Sequence, residues 1–234
     1  MMKSFHIFYL FFITSLSFGA TKPNIILIYT DDQGYGDFSL LNPDSKFKTP
    51  NLDRLAKEGI TLTDGHSPDT VCTPSRYGLL TGRYSWRTTL KRGVFGAEKP
   101  CLIKDGRMTI ASLLRDNGYA TAMVGKWHLG IKSDHHPLNR GFDRFFGILN
   151  WGADYIDPTN EDVYSWTHPL AKSNGNNATA LIHSDSNVSR DKDFVKEDAY
   201  LTDAFAREAV EFIEEKRRGP FFLYIPFTAI HGPL

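Results

Sequence analysis

The chain is 234 residues long, 41% hydrophobic and 23% charged, proportions of a globular protein that exclude a disordered or fibrous chain. Its 27 basic and 27 acidic side chains cancel, so no net charge draws it to nucleic acid or to an anionic membrane. Any anion it handles must be held by local charges.

In the first twenty residues, MMKSFHIFYLFFITSLSFGA, Lys3 precedes an apolar run from Phe5 to Leu16, and the small residues Ser17 and Gly19 follow. This is the pattern of a secretory signal peptide over 1–19. The run is interrupted by His6, Thr14 and Ser15 and is short of the roughly 20 apolar residues of a spanning helix, so no membrane span is expected after cleavage. The expected location is secreted or periplasmic, where a disulfide is permitted. Next, Ile25-Ile26-Leu27-Ile28-Tyr29 is apolar throughout, as for a strand buried on both faces of a parallel sheet. Thr49 to Gly59 predicts a short surface helix, with Thr as N-cap, Pro50 at the first helical position, Leu52, Leu55 and Ala56 on one face and Gly as the stop.

A second helix is predicted from Thr109 to Asn117, with Ile110, Leu113 and Leu114 inward and Gly118 as its cap, followed by a strand from Ala120 to Val124. Residues 150–197 contain polar pieces such as Lys172-Ser173-Asn174-Gly175-Asn176-Asn177 and read as an irregular excursion. Periodicity returns from Asp198 to Arg217, where Leu201, Ala204, Phe205, Ala209, Phe212 and Ile213 form one helical stripe, and Phe221 to Phe227 reads as a buried strand. This alternation predicts an α/β fold with a mostly parallel sheet flanked by helices.

In open parallel sheets, ligands bind beyond the carboxyl ends of the strands. Asp31 and Asp32 follow the first strand, Lys126 and His128 follow the Ala120–Val124 strand, and His231 follows the last. Two carboxylates about 4 Å apart repel by about 4 kcal/mol, so Asp31 and Asp32 need a cation or a shared proton unless both point to water. Oxygen-only ligands favour calcium or magnesium. Arg76, Lys126, His128 and His231 would bias the same edge positively, which suits a compact anion such as a sulfate or phosphate ester. Cys72, one of two cysteines, has three open roles: a disulfide with Cys101, a small buried hydrophobe, or a reactive centre.

Cys72-Thr73-Pro74-Ser75-Arg76, followed by Leu79-Leu80-Thr81-Gly82-Arg83, resembles the signature of the formylglycine-dependent sulfatases. Asp31-Asp32-Gln33-Gly34-Tyr35-Gly36-Asp37, Gly125 to Gly130, Gly141-Phe142-Asp143 and Pro226 to His231 match in the same order, so the resemblance covers about residues 23–234. It implies an alkaline-phosphatase-like fold, with 20–234 the N-terminal part of a catalytic domain that continues in the family through further ligands and a C-terminal part. It implies that a maturation enzyme converts Cys72 to formylglycine, which becomes the nucleophile. Calcium would be bound by Asp31, Asp32 and Cys72. Arg76 would orient the modified side chain, Lys126 hold nucleophile and sulfate, His128 act as base and His231 as leaving-group acid. Cys101 is then expected to be a free or buried thiol. The implied substrate is a sulfated carbohydrate or aryl sulfate, and the chain by itself is expected to turn over little. Two alternatives stay open: a phosphate or phosphonate ester hydrolase of the same superfamily, and a non-catalytic calcium- or glycan-binding fragment.

Overall fold

The computed structural model describes residues 22–94, 101–149, 188–191, 193–194 and 199–231; the expected signal peptide over 1–19 and most of the 150–197 segment lie outside them. Six strands form one sheet: β1 (Ile25–Tyr29), β2 (Ala120–Lys126), β3 (Arg144–Ile148), β4 (Val188–Arg190), β5 (Asp193–Phe194) and β6 (Phe221–Pro226). Their order is β1-β6-β2-β3-β4-β5. The first four are parallel neighbours, and β4 and β5 continue antiparallel beyond β3. Among the described residues the α-helices are α1 (Pro50–Glu58), α2 (Cys72–Thr81), α3 (Ile110–Asp116) and α4 (Leu201–Lys216).

Period-two alternation splits the core into two layers. Phe221, Leu223 and Ile225 of β6, with Ala122, Val124, Phe146 and Ile148, meet Leu201, Ala204, Phe205 and Phe212 of α4. Phe222 and Tyr224 point to the opposite face, where Met123, Phe145, Tyr77 and Leu80 of α2 and Ala111 of α3 pack. Each fully buried Leu or Phe in these layers contributes roughly 1.5–3 kcal/mol.

Several expectations change on contact with the fold. β1 is an edge strand whose residues alternate between half-buried and exposed; Ile26 and Ile28 are 46% and 50% exposed because α4 packs over β2, β3 and β6 and does not reach them. α3 turns Ala111 inward and leaves Leu113 45% exposed, since a capping box between Thr109 and Ser112 sets its start and hence its rotation. α1 is a surface helix with no buried residue, and Leu55 is 62% exposed. The short strands β4 and β5 emerge within the segment read as irregular. Their position is set by contacts distant in sequence: Arg190 makes two hydrogen bonds to Glu208 of α4, at 2.8 and 2.7 Å, and Asp191 accepts from the Phe145 amide at 2.9 Å.

Two glycines let the central strands meet. Gly125 of β2 pairs with Gly147 of β3. A Cβ on Gly147, at φ +151°, would lie 1.9 Å from the Gly125 carbonyl oxygen, and one on Gly125, at φ +134°, 2.1 Å from that of Pro226. No side chain fits either gap. The residue after Gly125 is Lys126, so this close approach sets where the lysine leaves the sheet.

Candidate active site

The ladder between β1 and β6 runs on past both strands. Phe227 N donates to Tyr29 O at 2.9 Å, Asp31 N to Ala229 O at 2.9 Å, and Ile230 N to Asp31 O at 2.8 Å. The chain after β6 therefore returns against the chain after β1, and His231 Nε2 comes 3.6 Å from Asp32 Oδ2.

Asp31 faces inward and is 4% exposed. Lys126 Nζ donates to its Oδ2, and Arg76 Nη2 lies 3.3 Å from the same oxygen. Arg76 also donates from Nη1 to the Lys126 carbonyl at 2.8 Å, and its guanidinium lies over the Tyr29 ring at 5.6 Å. Arg76 and Lys126 are 0% and 1% exposed. Two buried cations thus share one buried carboxylate, which leaves net positive charge where solvent screening is weak. Burial, then the nearby Arg76, push the Lys126 ammonium below the ordinary lysine range, and Asp31 and Cys72 oppose the shift.

Cys72 is the first residue of α2 and is half-buried. The N-cap, Val71, is extended and carries no side-chain acceptor, so the N-cap residue itself does not cap the helix. An anion is the natural occupant of such an end. Ser75 Oγ donates to the Asp69 carbonyl at 2.7 Å, and Ser67 Oγ to Ser75 Oγ at 3.1 Å, fixing the loop before the helix. That loop and the end of β1 enclose an open cleft of about 840 Å³, lined by Asp31, Asp32, Gln33, Asp69 and Cys72 among others.

Asp32 and His128 both have positive φ, 59° and 53°, in the left-handed region that non-glycine residues seldom adopt. Each conformation costs of order 1 kcal/mol, and both sit where the chain leaves a strand end. His128 is 3% exposed, and its amide donates to Leu149 O at 3.2 Å, which extends the β2–β3 ladder by two residues.

The structure joins Asp31, Arg76 and Lys126 by direct contact and Asp32 to His231 by a longer one, while Cys72 shares the cleft with both aspartates. His128 enters the region through its place two residues beyond Lys126. Tyr29 went unnoticed in the sequence because it reads as one more apolar strand residue; its position at the strand end was the available signal. Cys72 and Cys101 are both free thiols, which removes the disulfide.

Calcium is implied by the resemblance, and the donors fit it in kind, since Asp31 and Asp32 offer hard oxygens and Gln33 lines the same cleft. They supply part of a shell of about six to eight oxygens. Among the described residues no group of three His, Cys, Asp or Glu side chains is placed to enclose an ion. The expected set of Asp31, Asp32 and Cys72 is thus not drawn into one cluster: Asp31 Oδ2 is turned towards Lys126 and Arg76, and Asp32 lies on the His231 side.

A mostly parallel sheet flanked by helices, with a cleft at the carboxyl end of β1 backed by the buried Arg76 and Lys126, places the molecule in the alkaline-phosphatase-like class of α/β folds. Residues 23–234 match the sulfatase family, and the chain belongs to that family. Arylsulfatase J of Mus musculus is 34% identical over 218 residues, which are 92% of this chain and 34% of that protein. N-acetylgalactosamine-6-sulfatase of Mus musculus is 34% identical over 232 residues, 94% of this chain and 42% of that protein. The crystal structure of Ps i-CgsB superimposes with a TM-score of 0.77 at 37% identity, covering 91% of this chain and 46% of that one. Its complex with k-i-k-neocarrahexaose gives 0.74 at 36% identity, with the same coverage. The chain therefore spans a third to two-fifths of the length of these curated relatives.

Proposed function

We propose that this chain carries the reacting face of a sulfuric ester hydrolase acting on sulfated carbohydrate outside the cytoplasm. The observation that carries the reading is the pair of buried cations, Arg76 and Lys126, sharing the single carboxylate of Asp31 beside a half-buried cysteine at a helix start. That arrangement holds net positive charge for a compact anion before any substrate arrives, so little reorganisation is needed when charge develops. The sulfatase relatives and the carrageenan-type oligosaccharide bound by Ps i-CgsB favour sulfate on a sugar over phosphate. No described helix is long and apolar enough to cross a membrane.

Conversion of Cys72 to formylglycine would supply a hydrated aldehyde, one hydroxyl attacking sulfur and the other later expelling sulfate. Around it, Arg76 orients the side chain at the helix start, and Lys126 reaches nucleophile and sulfate from β2. His128 takes the proton from the second hydroxyl, and His231 gives one to the departing ester oxygen. Asp31 keeps both cations in place. Calcium, held in part by Asp31 and Asp32, would neutralise charge on the sulfate oxygens.

The test is a matched pair of aryl sulfate and aryl phosphate offered to the protein made together with a maturation enzyme, at high protein concentration and long incubation so that the low turnover expected of this chain is still read. Sulfate release that disappears in Cys72→Ala and falls by about a hundredfold or more in Lys126→Met supports the reading. Release of phosphate only, or a rate unchanged by Cys72→Ala, overturns it.

A further inference from the structure

The far end of α2 from Cys72 carries a second feature that the cleft does not use. Ten residues of helix at 1.5 Å each place it about 15 Å from the cysteine. There, after Gly82, a short 3-10 turn over Ser85–Arg87 presents Tyr84 and Trp86, each 54% exposed. Their rings stack, with centroids 5.6 Å apart and planes 14° from parallel. Large aromatic residues left open together on a surface mark a contact site more often than isolated ones do.

The turn is held firmly. Arg87 N donates to Tyr84 O at 3.1 Å, Thr88 N and Oγ1 donate to Ser85 O at 2.8 and 2.6 Å, and Leu90 N donates to Thr88 Oγ1 at 3.1 Å. Lys91 Nζ donates to the Trp86 carbonyl at 2.8 Å, and the Arg87 guanidinium lies 6.0 Å from the Trp86 ring centroid. The rings therefore need little ordering before they meet a partner.

Charge separates this patch from an ordinary apolar one. Residues 70–97 contain no aspartate or glutamate, while Arg83, Arg87, Lys91 and Arg92 fall within ten positions of one another. Arg87, Lys91 and Arg92 are exposed, and among the described residues none of the three has a carboxylate within ion-pair distance. A protein balanced in charge overall thus concentrates cations, without a carboxylate partner among the described residues, along the segment that carries the two open aromatic faces. The ring faces are electron-rich and suit the C–H face of a pyranose. The guanidinium and ammonium groups suit sulfate oxygens on the same chain of sugars.

We propose that Tyr84, Trp86, Arg87, Lys91 and Arg92 form a binding surface for a sulfated polysaccharide, separate from the cleft. The proposal rests on the sulfatase reading for its choice of anion, but it concerns binding and needs no turnover. Its role is to hold polymer near the cleft, at a distance that an oligosaccharide spans and a single sugar does not.

The experiment is calorimetric titration of the full chain carrying Cys72→Ala with a sulfated galactan hexasaccharide, its desulfated counterpart, and inorganic sulfate. Binding of the sulfated hexasaccharide should weaken by about tenfold or more, about 1.4 kcal/mol, in Trp86→Ala and in Arg92→Gln, since each removes one contact to the chain. Trp86→Phe should retain most of it, and circular dichroism checks that each variant is folded. Equal affinity for the desulfated chain, no binding by the parent, or binding indifferent to Trp86→Ala would overturn the proposal. So would a dimer that Trp86→Ala dissociates, because the patch would then be a contact between copies. All these readouts are made without catalysis, so failure of the hydrolysis assay leaves this result to stand or fall separately.

Discussion

Asp31 and Asp32 are neighbours in sequence with different environments. Sequence reading treats them as one metal-binding pair. In the structure Asp31 is buried between Arg76 and Lys126, while the Asp32 side chain is 62% exposed and faces His231. The left-handed backbone at Asp32 separates them, and nothing in the dipeptide announces that turn. The partnership of Asp31 with Lys126 links residues 95 positions apart, so it was legible only as two polar groups at strand ends. Removing the shared carboxylate should be the worst change in the cluster. Asp31→Asn strands two buried cations and should cost about 3 kcal/mol, read as a lower urea midpoint. Lys126→Met leaves Asp31 paired with Arg76 and should cost about 1 kcal/mol, so the order of the two midpoints decides whether Asp31 is the hub.

At the scale of elements, β6 and α4 were legible because their apolar periodicity survives in the structure with bounds displaced by at most three residues. β1 reads the same way, yet its edge position exposes half of it. Composition states what a strand can bury; neighbours decide what it does bury. Ile28→Thr should therefore change stability by less than about 0.5 kcal/mol, whereas Leu223→Ala, at 0% exposure, should cost about 2–5 kcal/mol in the same denaturation assay. Glu208 breaks the apolar stripe of α4 and is 7% exposed because it receives Arg190 from β4. Burial raises its pKa, but the hydrogen bonds and charge of Arg190, with Arg207, outweigh burial and hold it below the usual 4.5. A carboxyl depressed in the native state contributes stability above its unfolded value, and that contribution is lost as pH falls through the native one. Glu208→Gln should lower stability at neutral pH by about 1–2 kcal/mol, discounted for the half-exposed Arg190, and should flatten the acid-side loss below pH 4.5.

For the whole molecule, the site draws on elements spread over the length of the chain: the end of β1 and the loop into α2 line the cleft, while Lys126 of β2 reaches it through Asp31 and His231, after β6, through Asp32. Each brings one kind of group, and the sheet order β1-β6-β2 makes them neighbours. The role assigned to Cys72 unites these parts, because a helix start, two buried cations and a carboxylate have no common purpose around an inert thiol. Cys101 serves as the internal control. It is also free, its thiol is pushed above the ordinary cysteine range by burial, and its Sγ lies 3.5 Å from the Leu129 carbonyl, away from the cleft-lining residues. The most direct test is peptide mass spectrometry of the chain produced with a formylglycine-generating enzyme. The account predicts an aldehyde at Cys72 and an unmodified thiol at Cys101; a thiol retained at Cys72 under those conditions would contradict it.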